Sequence, residues 1–268
     1  MPSIIRTEAP GQAPAHGRPW RRDELVAAFR LYCMLPFGKL HQRNPQIIAL
    51  AEALGRTPGS VALKLVNLAS LDPAITGTGR SGMANASAGD REIWAAFHSD
   101  WTAMEAEGEE VARRLGILEP EPELPEAIPW SGETSVETLV KVRRGQAFFR
   151  KAVLGSYEGR CCMSGIGEPL LLLASHIVPW ARDEANRLNP ANGLCLSALH
   201  DRAFDQGLIT VDADYRVKVA PVLKAQGDNP LAKDWLLGLE GQRIRLPKRF
   251  RPDPDFLAWH QRERFLAG

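Results

Sequence analysis

The sequence predicts an α+β fold in two parts: an N-terminal helical domain, and a C-terminal unit that runs strand, loop, strand, helix and then a β-hairpin. Three observations predict it. Apolar residues recur at helical spacing through the first 115 residues, short β-rich runs frame a polar loop between residues 170 and 196, and an abrupt change of charge separates the two regimes. At 268 residues, with 44% hydrophobic and 24% charged side chains, the chain is long enough for two domains and too apolar to be disordered throughout. Its longest apolar run, residues 170–174, is far short of the roughly 20 residues that cross a bilayer, so no membrane partner is expected. Residues 1–19 are rich in Pro, Gly and Ala, lack the apolar stretch of a signal peptide, and read as a flexible arm on a cytoplasmic protein.

In chain order, Leu25, Val26, Phe29, Leu31 and Tyr32 predict a first helix that ends before Pro36. Ile47, Ile48, Leu50, Ala51 and Leu54 predict a second, closed by Gly55 at a position that favours φ > 0. Thr57 as N-cap and Pro58 in the first helical position start a third, with Val61, Leu65 and Leu68 as its apolar stripe. Two short helices joined by a tight glycine turn read as a helix-turn-helix, in which Ser60, Lys64 and Asn67 would meet the major groove or its phosphates. The alternative is a helical hairpin that only packs against its neighbours. Residues 77–89 are small and polar and read as a loop or short wing. Residues 90–115 read as one helix with Ile93, Trp94, Phe97, Trp101 and Met104 inward, and Glu105, Glu107, Glu109 and Glu110 on a solvated face. The helical domain therefore spans residues 20–118.

Residues 119–137 carry six glutamates, four prolines and no Lys or Arg, which marks a linker over 119–138. Residues 141–160 reverse the charge, with six Lys or Arg against the single acid Glu158. Within them a helix over 143–154 can dock through Ala147, Phe148, Val153 and Leu154. Arg144, Arg150 and Lys151 then either turn to nucleic-acid phosphates or form ordinary surface charge. The four cysteines, Cys33, Cys161, Cys162 and Cys195, contain no C-x-x-C pair; they read as buried thiols in a reducing compartment, and no structural zinc is expected.

The stretch from residue 169 to 208 changes character. A β-rich run leads into Ser175-His176-Ile177-Val178-Pro179-Trp180, and a polar loop ends in Asn189-Pro190-Ala191-Asn192-Gly193. A short strand Leu194-Cys195-Leu196 follows, then Ser197 as N-cap of a helix with His200, Asp201, Phe204 and Asp205. Residues 208–211 and 215–219 form a hairpin about the turn 212–214. Beyond it, 230–237 reads as helix, 243–246 as strand and 254–265 as helix. The basic stretch Lys248-Arg249-Phe250-Arg251 would clamp a nucleic-acid backbone or shield a sheet edge.

These motifs, with Tyr157-Glu158-Gly159-Arg160-Cys161 before them and Phe204-Asp205-Gln206-Gly207-Leu208 after, resemble the HNH endonucleases, the ββα-metal nucleases, and within them a restriction-enzyme branch. The likeness covers residues 143–222 well and makes 139–268 an HNH nuclease domain with an appended hairpin. It implies cleavage of double-stranded DNA with Mg²⁺ or Mn²⁺, a role in bacterial defence, and a homodimer that cuts both strands. Phosphodiester hydrolysis needs an activated water and charge stabilisation at the phosphate. His176, neutral near pH 7, can be the general base. His200, on the first turn of the helix, can ligate the cation. Asn192 orients the inter-strand loop through hydrogen bonds to backbone. Many members carry an aspartate where this chain has Ser175, so Asp205 or waters would complete the coordination. The same departure leaves open a non-catalytic DNA-binding regulator. The weak net charge of +1 leaves open a nuclease of RNA or one without sequence preference.

Overall fold

The computed structural model describes residues 18–77, 85–118, 136–225, 227 and 229–268. The arm before residue 18, the centre of the 77–89 loop and the acidic linker up to residue 135 lie outside the described residues.

Six helices form the N-terminal part: α1 (Arg22–Met34), α2 (Pro45–Leu54), α3 (Pro58–Ala69), α4 (Pro73–Thr76), α5 (Ala88–Ser99) and α6 (Trp101–Arg114). Their ends follow the chemistry of the chain. Asn44 and Thr57 accept hydrogen bonds from the first-turn amides of α2 and α3, each with proline in the opening turn, and Gly55 closes α2 at φ 62°. The helix expected over 90–115 is instead two, because Asp100 leaves helical geometry and caps the Ala103 amide at 2.9 Å. Periodicity continued through the break and concealed it. At the centre lies α1, whose Phe29 stacks on Phe97 at 4.2 Å and packs near Trp101.

The expected solvated glutamate face is corrected on two positions. Glu105 and Glu109 are buried: Glu105 pairs with Arg30 at 3.0 Å, and Glu109 receives Arg144 at 2.5 Å. Burial raises the Glu105 pKa to about 7 even though Arg30 pulls against it.

A long helix, α7 (Val136–Ser156), links this bundle to the second part by packing on α1 and on a hairpin of β1 (Leu172–His176) and β2 (Gly193–Ser197). The strands are antiparallel, in a register that runs from Leu172 opposite Ser197 to His176 opposite Gly193. The helix that follows β2, α8 (Ala198–Asp205), packs on both strands. Alternation along β1 sends His176 towards α7 and Ser175 towards α8. A second hairpin, β3 (Ile209–Val211) and β4 (Val217–Val219), is appended as expected, and α9 (Pro221–Lys224), α10 (Pro230–Trp235) and α11 (Pro254–Glu263) complete the chain.

Two expectations for the C-terminal stretch are corrected. Residues 243–246 form no strand: Arg243 makes one bridge to Arg216, while the Ile244 and Arg245 amides donate to Tyr215 and Cys162, so no single ladder develops. The basic stretch at 248–251 neither clamps nucleic acid nor shields an edge at its centre. Arg249 is fully buried, donates to the carbonyls of Tyr32, Cys33 and Leu35 at the end of α1, and lies over the Tyr32 ring at 4.6 Å. The last carbonyls of a helix need donors, and a guanidinium supplies several from one residue.

Candidate active site

The end of β1 carries the imidazole that the sequence singles out. The His176 ring stacks on Phe149 of α7, centroids 3.8 Å apart and 9° from parallel, and the edge of Trp180 closes it at 5.6 Å. Its Nε2 lies 2.9 Å from the Arg187 carbonyl, which can only accept, so Nε2 carries the hydrogen and Nδ1 keeps a lone pair. Burial pushes the His176 pKa down to about 4, with the Arg187 carbonyl pulling the other way, so the ring is neutral at physiological pH. One ring nitrogen is thereby spent on orientation and the other is a base.

Asn192 and Gly193 hold this ring in place from the neighbouring strand. Asn192 is fully buried; its Oδ1 accepts from the Val178 amide at 2.8 Å, and its Nδ2 donates to the Val178 and Asn186 carbonyls at 3.0 and 3.3 Å. It fastens the chain just past His176 through hydrogen bonds to backbone alone. A methyl group at Gly193 would lie 2.9 Å from the Phe149 ring and 2.4 Å from Val153, so the ring that supports His176 requires glycine opposite it.

Oxygen donors gather on the α8 side. The buried Ser175 hydroxyl faces Asp201 closely enough to lower that carboxyl's pKa, but it completes no well-formed hydrogen bond. Burial raises the Asp201 pKa, the charge of Asp205 adds to the rise, and Ser175 and Arg202 pull against it. Asp201 and Asp205 are four residues apart on α8 and share a face, which His200 and Asp205 do not. Asp201 received no role from the sequence, although that i, i+4 pair of carboxylates was the signal for it.

His200 is 1% exposed and both its nitrogens are engaged: Nδ1 lies 2.8 Å from Ser197 Oγ and 3.6 Å from Cys161 Sγ, and Nε2 lies 2.9 Å from the Trp235 carbonyl. Burial alone would lower its pKa; the Cys161 thiol and the Trp235 carbonyl hold it above the ordinary value. A cation at His200 would first have to displace one of these partners. Ser197, expected to cap α8, spends its hydroxyl on this ring instead.

The expected nucleic-acid contacts are corrected in turn. Lys64 is buried in an ion pair with Asp90 at 2.7 Å and lies over Trp20. Asn67 is buried as well, and Ser60 is half-buried in the first turn of α3. With α1, α2 and α5 packed around α3, the helix presents Leu63 rather than hydrogen-bonding side chains to solvent. Arg144 pairs with Glu109, Lys151 is half-buried near Arg30, and Arg150 donates to the Leu172 carbonyl at 2.8 Å. The last contact anchors β1 to α7.

A suitable cation can be judged from this donor set. Among the described residues no group of three or more His, Cys, Asp and Glu side chains forms a ready metal site. Magnesium asks for less, since it binds through one or two carboxylates while keeping several waters and substrate phosphates. The orphaned Ser175 oxygen and the Asp201–Asp205 pair, both hard oxygen donors, fit that requirement.

Two antiparallel strands are backed by a helix, with a neutral imidazole at the strand end and carboxylates on the helix. Residues 161–212 match the HNH_2 family model, an HNH endonuclease, so this segment carries an HNH endonuclease domain and points to nuclease activity on nucleic acid. No curated protein matches the chain. No helix among the described residues is long and apolar enough to cross a membrane.

Proposed function

We propose that this protein is a divalent-metal-dependent DNA endonuclease of the restriction or defence type, with His176 as general base. Duplex DNA as substrate, a homodimer that cuts both strands and a cytoplasmic setting accompany that reading through the resemblance. The observation that carries it is the state of His176: neutral, oriented through Nε2 and clamped between rings, with Nδ1 open.

Water gives its proton to Nδ1 as its oxygen attacks phosphorus, and the bond to the 3′ oxygen breaks. The phosphate's negative charge beside the ring favours the imidazolium as it forms, which offsets the low pKa of the empty site. Asp201 and Asp205, beside Ser175, would hold Mg²⁺ or Mn²⁺, which when bound supplies positive charge at the phosphate and the departing oxygen. This reading moves the ligand role from His200 to Asp201 and keeps Asp205. His200 becomes a positioning residue that ties α8 to Ser197 and to the Trp235 carbonyl.

The test is cleavage of unmodified, methylated and hydroxymethylated plasmids with Mg²⁺, Mn²⁺ or EDTA, beside His176→Ala. Metal-dependent cutting that falls by roughly 10²–10⁴ in the variant is the expected result. Undiminished cutting by the variant would sink the assignment of His176, and no cutting by the intact protein on any substrate would favour a DNA-binding regulator.

A further inference from the structure

A cleft of about 880 Å³ lies between the loop that follows β1 and the C-terminal helix α11. Its two walls lead back to the active site from opposite sides. Val178 and Pro179 stand two and three residues beyond His176, on the backbone that Asn192 fastens. Arg264, just past α11, lies close enough to Asp205 for its charge to act on that carboxyl. The junction is tight, since the Leu266 amide donates to the Gly207 carbonyl and any side chain at Gly207 would strike the Arg264 carbonyl.

The lining has the chemistry of a nucleotide site. Trp259 is half-buried and, among the described residues, stacks on no other ring. Arg182 and Arg264 are exposed and, among the described residues, form no ion pair, whereas Arg262 is occupied by Glu263 at 2.7 Å. Of the remaining acids in the lining, Asp183 is held by the amide and side chain of Asn186, and Asp255 is exposed in the first turn of α11. An aromatic ring in one lining with exposed guanidiniums is what an unpaired strand meets in proteins that bind it. The volume falls within the roughly 300–1,000 Å³ of small-ligand pockets, room for a short stretch of one strand and not for a duplex.

We propose that this cleft holds an unpaired DNA segment beside the scissile phosphate, with a base on Trp259 and the flanking phosphates at Arg182 and Arg264. The inference rests on the nuclease reading and adds to it a strand-positioning role for α11, which lies outside the matched segment 161–212.

The test uses the full chain in EDTA, so that nothing is cut. Binding of a labelled single-stranded DNA oligonucleotide is followed by fluorescence anisotropy, with duplex DNA and RNA of the same sequence alongside. Trp259→Ala should weaken single-strand binding about tenfold and Trp259→Phe should restore most of it. Arg182→Gln and Arg264→Gln should each lower the slope of log affinity against log salt by about 0.7. Ala258→Glu places a negative charge at an exposed position of the same wall and should weaken binding whether or not Trp259→Ala folds. Unchanged single-strand affinity in Ala258→Glu and in a folded Trp259→Ala would overturn the proposal, as would an equal loss of duplex binding in both variants. Cleavage with normal affinity in these variants removes the cleft and leaves the nuclease. Trp259-dependent binding by a protein that cuts nothing removes the nuclease and leaves the cleft.

Discussion

The two halves of this molecule both bury charged and polar side chains, and they treat them in opposite ways. In the helical part most buried charges meet a counter-charge: Glu24 meets Arg56 at 2.8 Å, Lys64 meets Asp90 at 2.7 Å and Glu105 meets Arg30 at 3.0 Å, while Asp72 is held by the Ala74 and Phe250 amides. In the ββα part Asn192 and His200 are fully engaged, but three groups along β1 and α8 are less so. The Ser175 oxygen completes no well-formed hydrogen bond, Asp201 is pushed up by burial and by another carboxylate, and His176 keeps one nitrogen open. Satisfied charges hold helices in register, while unsatisfied ones have capacity left for a water, a cation or a phosphate.

Breaking a satisfied pair should give the largest effect. Lys64→Met strands the Asp90 carboxylate in the core and should cost about 3–5 kcal/mol in denaturant unfolding. Cleavage per folded molecule should stay at the wild-type rate; a selective loss of DNA binding at full stability would instead restore α3 as a recognition helix.

The complementary change, Asp201→Asn, should act in reverse. It removes an uncompensated charge, so thermal stability should hold or rise, while metal-dependent cleavage should fall by roughly 10²-fold, about 2.7 kcal/mol of lost transition-state stabilisation. Equal cleavage by this variant across a magnesium titration would remove Asp201 from the site and return the ligand role to His200.

The smallest effect sharpens the comparison through pH. His176 and His260 both have pKa values lowered by burial to about 4, against an ordinary value of 6.5. The unfolded chain then binds more protons than the folded one between these values, so their contribution to stability is complete above about pH 6.5 and is lost as pH falls towards 4. Glu105, raised to about 7, works the other way: its folded form holds a proton that the unfolded form has released, so stability declines as pH rises from about 4.5 to 7. Melting temperatures between pH 4.5 and 6.5 should therefore fall less steeply towards acid than two histidines alone would require, and Glu105→Gln should steepen that fall. A variant with the same pH profile as the wild type would show that Glu105 stays ionised beside Arg30.

Local signals were legible where local chemistry decides the outcome. Thr57 with Pro58, Gly55 and the strand–loop–strand–helix order of residues 172–205 were readable because caps, positive φ and β-rich runs act over a few residues. The break at Asp100 was not, since an aspartate that caps a new helix looks like a surface acid inside an old one. Lys64 and Arg249 were read as phosphate-seeking because a basic side chain has the same appearance in sequence whether it faces solvent or a buried carboxylate or carbonyl.

The sequence by itself therefore determined most of the helices and the strand–loop–strand–helix order, and it singled out His176 as the candidate base. Only tertiary packing decided which charges were neutralised, that His200 is enclosed by Ser197, Cys161 and the Trp235 carbonyl, and that Asp201 faces Ser175. The physical reason is range. Capping and periodicity are settled within a turn or two of chain, whereas the partner of a buried charge is a residue 26, 32 or 75 positions away and exists only once the helices are packed.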